Sequence, residues 1–569
     1  MILLFLLFCL SFFYILPFKF YKKKYRHDYY FNFKRSFNKN FVKTIGDRNN
    51  LFCYFKYKYK NTLFCFSGLK IQGEEFTFKP EKHIFFFNSL TGYIILEKLK
   101  FNELNVEKII IGNFKIGSGQ GLVFNYENDS LYSPLDPIKV FKKQYGIKQC
   151  KSHKKKKFLG IGTQLAYKDT KLSIFITKNY LDAFLKDDKI YTAKIRERYI
   201  NKMLLLRRNS VYNYTTGFSF MYKNRHNFNI GVNMCYSKFN KEFKLCNNSD
   251  FKENLISDMD NLLTGDNLIN LSAFNSFSIA RIKIYCEYAR SFDLLQNILS
   301  KYGSALILGG RIRFSEVLKN VFLFRYYSSD YHNLYGNGFG SGKGLVYKNF
   351  KGCINNEIGV CNGLQIKLIN NLVMKFVFDL CFIPKKTFNI NNSYRSQFIF
   401  NLKYKFSMFE YVLFQCKYIN STSNIIVKNT TYFKNIYEVI NIKTLFKKNI
   451  FFIMNSSNLT LSINPHADKC DFGICFYEKI RFNIWKFTNV LHFIIAKASE
   501  KSPVHFFKTV LCSYNRKIKV TKNNLFQIIL NPKIKIMNKL IIDTMFSLKF
   551  IFNKNKTYQL SIAVRYIKN

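Results

Sequence analysis

Residues Leu372–Phe382 read LVMKFVFDLCF. In an extended chain successive side chains point to opposite sides, so Leu372, Met374, Phe376, Phe378, Leu380 and Phe382 share one face. Lys375 and Asp379 lie on the other face. A strand greasy on one side and charged mid-length on the other suits lipid outside and a wet lumen inside.

The same period recurs elsewhere. Ile282, Ile284, Cys286 and Tyr288 alternate with Arg281, Lys283, Tyr285 and Glu287. Phe398, Phe400, Leu402, Tyr404 and Phe406 alternate with Asn401, Lys403 and Lys405. Near the end Phe546, Leu548, Phe550 and Phe552 alternate with Ser547, Lys549 and Asn553, and a polar turn at 553–556 leads into Leu560, Ile562, Val564 and Tyr566, which is a hairpin. The repeats last about 9 to 11 residues, the length of a tilted membrane strand. A soluble sandwich or solenoid also alternates. Mid-strand charge on one face and strongly aromatic apolar faces favour the membrane, and a closed sheet has no edge to protect.

The fold class read here is all-β, a large transmembrane antiparallel barrel with polar loops. After Asp28 there remain 541 of the 569 residues. At roughly 25 to 30 residues per strand plus loop this corresponds to about 16 to 22 strands. Met1–Phe18 is an uncharged apolar run that reads as a signal peptide or N-terminal anchor, residues 19–28 as a basic leader, and residues 29–569 as the barrel. Beyond residue 18 no window reaches the roughly 18 to 20 apolar residues of a membrane helix. Three polar stretches read as loops: Lys151–Lys157, Leu181–Arg208 and Asn240–Asn270, the last as a long extracellular loop. The spacing of Ile195, Tyr199, Met203 and Leu206 predicts a short helix within the second.

The net charge of +54, from 89 Lys+Arg against 35 Asp+Glu, would in a soluble protein point to a polyanion partner. Here Lys, Asn, Ile, Phe and Tyr are inflated together, as an AT-biased genome produces, so the charge is discounted as a functional signal. The 14 cysteines are scattered without CxxC zinc spacing and read as small apolar strand residues.

Two glycine-rich segments stand out: Gly112–Leu122 (GNFKIGSGQGL), and the run from Arg325 through Tyr335 to Gly340. As nucleotide loops they fail, because Gly342-Lys343 is followed by Gly344, and Gly117–Gly121 lacks the GxGxxG spacing. Glycines at these places fit bulges, sharp turns or close backbone approach within a barrel wall. The histidines are isolated, with no HExxH and no GxSxG, and Asp258-Met259-Asp260-Asn261 lacks the rest of a calcium loop. No catalytic residue, metal site or cofactor is expected.

At the glycine segments the chain resembles a family of Bacteroidota outer-membrane proteins usually labelled ComEA-like or helix-hairpin-helix domain-containing, which carry a large C-terminal β-barrel. Gly112, Phe114, Gly119, Gln120, Gly121 and Leu122 match a segment resembling GDYxxxxGQGL. Arg325, Tyr327, Tyr335, Asn337, Phe339 and Gly340 match an Arg-x-Tyr strand leading into a Tyr-x-Asn-x-Phe-Gly loop. Gly473–Phe482 (GICFYEKIRF) matches a late strand more loosely. The resemblance implies an outer-membrane barrel. It does not carry over a DNA-binding or competence role, because paired short helices with a glycine hairpin are not recognisable between the leader and Tyr29.

The leading functional reading is an outer-membrane barrel, exported through the periplasm, acting as a passive pore or as a structural or transport subunit. Its partners would be outer-membrane lipid and other outer-membrane proteins, and its solute is not legible. Arg281, Lys283, Lys375, Lys403 and Lys405 are the candidate lumen-facing cations, and an open lumen lined by them would prefer anions. A second reading is a basic nucleic-acid-binding envelope protein, and a third is a barrel enzyme. A nucleic-acid surface gathers its charge on one patch, whereas these cations alternate with lipid-type faces throughout.

Overall fold

The structure, a computed structural model, describes residues 25–37, 46, 49–71, 73–75, 78–79, 84–85, 87, 89–124, 144–150, 157–194, 201–224, 228–243, 265–295, 298–336, 338–339, 356–384, 390–406, 411–427, 430–432, 436–447, 451–464, 469–484, 487–497, 504–508, 517–521, 525–535, 540–551 and 554–568. The expected signal and most of the basic leader lie outside them. The first strand begins at Tyr25, so it takes in the last four residues of the stretch read as leader.

The wall strands, in chain order, are β1 Tyr25–Phe37, β2 Asn49–Tyr59, β3 Thr62–Lys70, β4 Ser89–Phe101, β5 Leu104–Gly117, β6 Phe158–Tyr167, β7 Thr170–Lys186 and β8 Val211–Lys223. They continue as β9 Phe228–Phe243, β10 Gly265–Ile279, β11 Ile282–Leu295, β12 Ile298–Arg313, β13 Leu318–Tyr327, β14 Glu357–Ile369, β15 Leu372–Ile383 and β16 Ile390–Lys405. The circuit is completed by β17 Tyr411–Val427, β18 Ile436–Lys447, β19 Phe451–Asn464, β20 Lys469–Ile484, β21 Phe487–Lys497, β22 Leu525–Lys535, β23 Leu540–Ile551 and β24 Lys554–Lys568. Each pairs antiparallel with its neighbours in the chain, and β24 returns to β1 with Tyr566 opposite Tyr29. The 27-stranded sheet is therefore a closed circuit of 24 strands, plus three short edge pieces at Gly146–Gln149, Lys189–Lys194 and Thr430–Tyr432. The count exceeds the expected 16 to 22 because connections at one rim are far shorter than the assumed average.

That difference between rims is systematic. Links after even-numbered strands include tight turns: residues 60–61, 102–103, 168–169, 280–281 and 370–371 each join two strands. Links after odd-numbered strands include the long ones, residues 118–157, 187–210, 244–264, 328–356 and 498–524. Both ends of the circuit, the start of β1 and the finish of β24, fall on the tight-turn rim.

Side chains alternate as the sequence predicts. Ile174, Ile176, Val232, Leu271, Leu308, Val360, Phe378 and Leu380 are exposed outward. Their strand neighbours Ser173, Thr177, Asn233, Ser272 and Asp379 are buried on the inner side. Polar inside and apolar outside reverses a soluble protein and matches a barrel in lipid, where every backbone group of the wall is satisfied by the ladder. Towards the long-link rim the outer face changes character: Lys178 lies over the rings of Tyr212 at 4.6 Å and Tyr214 at 5.1 Å, an amphipathic girdle.

The Leu181–Arg208 stretch is helical only in part. β7 continues to Lys186, and the helix α1 is confined to Lys202–Leu206, capped by Asn201, whose side chain accepts from the Leu204 N–H at 2.8 Å. Ile195 and Tyr199 lie outside the described residues. Asn240–Asn270 is a loop only between strands, since β9 reaches Phe243 and β10 starts at Gly265. The expected late hairpin is β23–β24, with Phe546 opposite Leu560, although its link is tighter than expected at residues 552–553. Cys235, Cys286 and Cys361 are free thiols.

Candidate functional site

The two glycine segments singled out in the sequence meet inside the barrel. β5 ends at Gly117, and Ser118–Phe124 turns into the lumen instead of leaving it, so that Leu122, Val123 and Phe124 are buried. β13 ends at Tyr327, and residues Ser328–Phe339, as far as described, fold in beside it, burying Tyr331, His332, Asn333, Tyr335 and Phe339.

Glycine is required where the first segment turns. Gly119 and Gly121 have φ of +59° and +98°, a region that side chains with a Cβ adopt at a cost. A Cβ on Gly119 would also lie 2.6 Å from the carboxylate of Glu287. That carboxylate, on the inner face of β11, is the anchor of the segment: it accepts the N–H of Gln120, the N–H of Leu122 at 3.3 Å and the hydroxyl of Ser272 at 3.0 Å. Ser219 Oγ donates to Ser118 Oγ at 2.8 Å, adding a second wall contact from β8.

The second segment clasps the first. Tyr331 Oη donates to the Leu122 carbonyl at 2.8 Å, and Asn333 Nδ2 donates to the carbonyls of Leu122 and, at 3.1 Å, Val123. Asn333 Oδ1 in turn accepts the N–H of Tyr335 at 2.7 Å and of Gly336 at 2.9 Å. Only glycine fits at 336, where a Cβ would stand 2.1 Å from the Leu122 carbonyl oxygen. Tyr335 then reaches the wall at β6 to β8. Its ring lies 4.3 Å from that of Phe158, and its hydroxyl meets Asn179 at 3.2 Å, Asn213 at 2.9 Å and Thr215 at 3.2 Å. Burial pushes the Tyr335 phenol up to about 12. Phe114, Phe124, Phe158 and Phe175 form the aromatic floor beneath, with Phe158 and Phe175 centroids 4.9 Å apart.

The wall beside the second segment is braced by charge. Arg325, fully buried on β13, donates to Glu357 of β14 and forks onto Asp379 of β15 at 2.6 and 3.2 Å. Gly359 leaves room for the guanidinium, since a Cβ there would be 2.4 Å from Arg325 Cζ. Tyr327 donates to the Phe339 carbonyl at 3.3 Å. His332 Nδ1, on the second segment, meets Asp293 Oδ2 of β11 at 2.9 Å.

Of the residues matched to the family pattern, Gly112 serves the wall itself: its φ is +109° and a Cβ would be 2.3 Å from the Gly92 carbonyl oxygen. Phe114 packs on Phe158 and Phe175, Gly119 and Gln120 meet Glu287, and Gly121 and Leu122 lie against Gly336; Arg325 braces the wall, and Tyr327 and Phe339 pin the second segment. Asn337 and Gly340 lie outside the described residues. Gly473–Phe482 runs within β20, apart from this cluster in the chain and in the circuit. Sequence reasoning missed Glu287, Asn333 and Tyr331. Alternation placed Glu287 on the inner face, but nothing local says that a backbone 165 residues away caps it. The candidate cations Lys283, Lys375, Lys403 and Lys405 share the inner face with Glu287, Asp379 and Asn401, and Arg281 sits in the tight turn before β11. Among the described residues no group of three or more His, Cys, Asp or Glu side chains is placed to hold a metal ion.

No known protein family and no curated protein matches the chain. Among solved structures, the siderophore receptor PirA from Pseudomonas aeruginosa is similar at 8% identity and a TM-score of 0.44, covering 96% of this chain and 81% of that one. The copper transporter OprC is similar at 7% identity and a TM-score of 0.45, over 97% of this chain and 82% of that one. A bacterial polysaccharide outer membrane secretin aligns over 70% of this chain at a TM-score of 0.27. At these scores the assignment as a membrane barrel rests on the strand circuit and its faces.

Proposed function

We propose that the chain is an outer-membrane transport barrel whose lumen is gated by its own inward-folded segments, with no catalytic step. The observation that carries this is the clasp between Ser118–Phe124 and Tyr331–Gly336, anchored on Glu287. A barrel of 24 strands encloses a lumen too wide for wall side chains alone to fill, so what occupies it decides what passes. Tight turns at one rim and long links at the other fit an orientation with the tight rim, and both ends of the circuit, in the periplasm. The resemblance to the Bacteroidota barrel family fits this reading, because its first two patterns supply the clasp and the brace beside it.

The test is single-channel conductance in planar bilayers. Glu287→Ala removes the cap of the first segment, and the expected result is a larger and noisier conductance than that of the natural chain. Equal conductance, with the variant still folded, would sink the gating role. Release of the natural protein from membranes by high salt would instead favour the nucleic-acid-binding reading.

A further inference from the structure

We infer that the inner wall at the tight-turn rim is a binding site for a soluble phosphate-bearing polyanion, such as a short polyphosphate or a multiply phosphorylated small molecule. The site deepens the transport reading by naming a ligand class, and its binding is measurable whether or not the barrel conducts.

Strands β11 to β16 bring cations together there in register. Lys283 stands directly opposite Arg311 on the next strand. Arg313 faces Lys319, Lys319 faces Gln365, Gln365 faces Lys375 and Lys375 faces Asn401, so one row across five strands presents three cations and two amide side chains. The row nearer the rim carries Lys367, Val373 and Lys403. All share the inner face and are half-buried, except the buried Asn401 and the more exposed Arg311.

The carboxylates of these strands lie elsewhere. Glu287 and Asp293 on β11, Glu357 on β14 and Asp379 on β15 are all displaced toward the long-link end, where they hold the plug, His332 and Arg325. Between them and the rim, residues 282–286, 308–313, 358–369, 372–378 and 398–405 contain no Asp or Glu. Glu316, in the exposed turn after β12, reaches Arg313 at 3.9 Å. Along a strand Lys283 and Glu287 are about 13 Å apart at the usual rise. The inner wall is thus positive at the tight-turn mouth and negative further in, a field that collects anions at that mouth.

AT bias inflates lysine everywhere but does not place it in cross-strand rows on one face. Directly opposed like charges destabilise a sheet, so this collar costs stability that a bound polyanion would relieve. Three or more cations one or two strand separations apart, about 5 to 10 Å, suit several linked phosphates better than one. Because they face the lumen and not the lipid, a soluble ligand fits and a bilayer headgroup does not.

The experiment uses the full chain in detergent micelles. Tripolyphosphate is titrated by calorimetry, and lysine acylation is mapped by mass spectrometry with and without it. Saturable binding is expected, weakened at least about tenfold in Lys319→Gln/Lys375→Gln/Lys403→Gln and falling as salt rises. Protection is expected at Lys283, Lys319, Lys367, Lys375 and Lys403, and not at the outward Lys178 and Lys238. Absence of saturable binding, or protection spread evenly over inner and outer lysines, overturns the site. Should the triple variant fail to fold, the protection map of the natural chain decides alone. Unchanged conductance on removing the clasp would count against gating and leave this site standing.

Discussion

Gly119 carries two constraints at once, a positive φ and a carboxylate where a methyl group would go. Gly119→Ala should therefore lower stability by about 1 to 3 kcal/mol, seen as a reduced unfolding midpoint in urea. Arg325 is bound by two carboxylates at zero exposure, so Arg325→Met leaves Glu357 and Asp379 facing each other without a cation. A loss of about 3 to 5 kcal/mol is expected, larger than for any surface lysine. Tyr335 gives a pH signature. Its phenol keeps its proton to about 12 when folded, whereas an unfolded tyrosine titrates near 10. The folded state then holds more protons in that window, so this contribution is full below about pH 10 and is lost as pH rises towards 12. Tyr335→Phe should flatten that part of the alkaline stability curve, and an unchanged slope would show that other groups dominate it. The glycines and Tyr335 were legible as a pattern before their partners were known. Glu287 was not, because a capping carboxylate has the same local sequence as any inner-face acid.

At the scale of the strand, the period of two was the strongest signal, clear in β8 to β11 and β13, whereas β2 is half-buried along nearly its whole length and β7 buries Leu181, Asp182 and Ala183 in succession. Leu372–Phe382 lies within β15 with Val377, Asp379 and Cys381 buried inward and Phe378, Leu380 and Phe382 exposed outward. Phe378 is mid-strand on the lipid side, so Phe378→Lys should cost about 2 to 4 kcal/mol in refolding into bilayers. The same change at Gln365, on the inner face near the rim, should cost much less. Strand number was harder to read, since a two-residue turn such as Ala280–Arg281 carries too little sequence to separate one strand from the next. Of the helix predicted from Ile195, Tyr199, Met203 and Leu206, the second half is α1 at Lys202–Leu206, and Ile195 and Tyr199 lie outside the described residues.

For the whole molecule, the closed circuit predicts heat-modifiable migration: the unboiled protein should run at a different apparent size from the boiled protein in SDS gels, with β-rich circular dichroism. Identical mobility would argue against closure. The barrel was legible because its period repeats along the chain, but the plug was not, because two links separated by more than 200 residues meet only once the wall has curved round them. The closure itself has a consequence for how the molecule is made. Tyr29 finds Tyr566 only after the intervening chain has been delivered, which makes the final seam the least local contact in the fold and a late event in assembly. Until then every intermediate carries two raw backbone edges, one on β1 and one on the newest strand, and these are the surfaces through which a stalled chain would join a neighbour instead of itself.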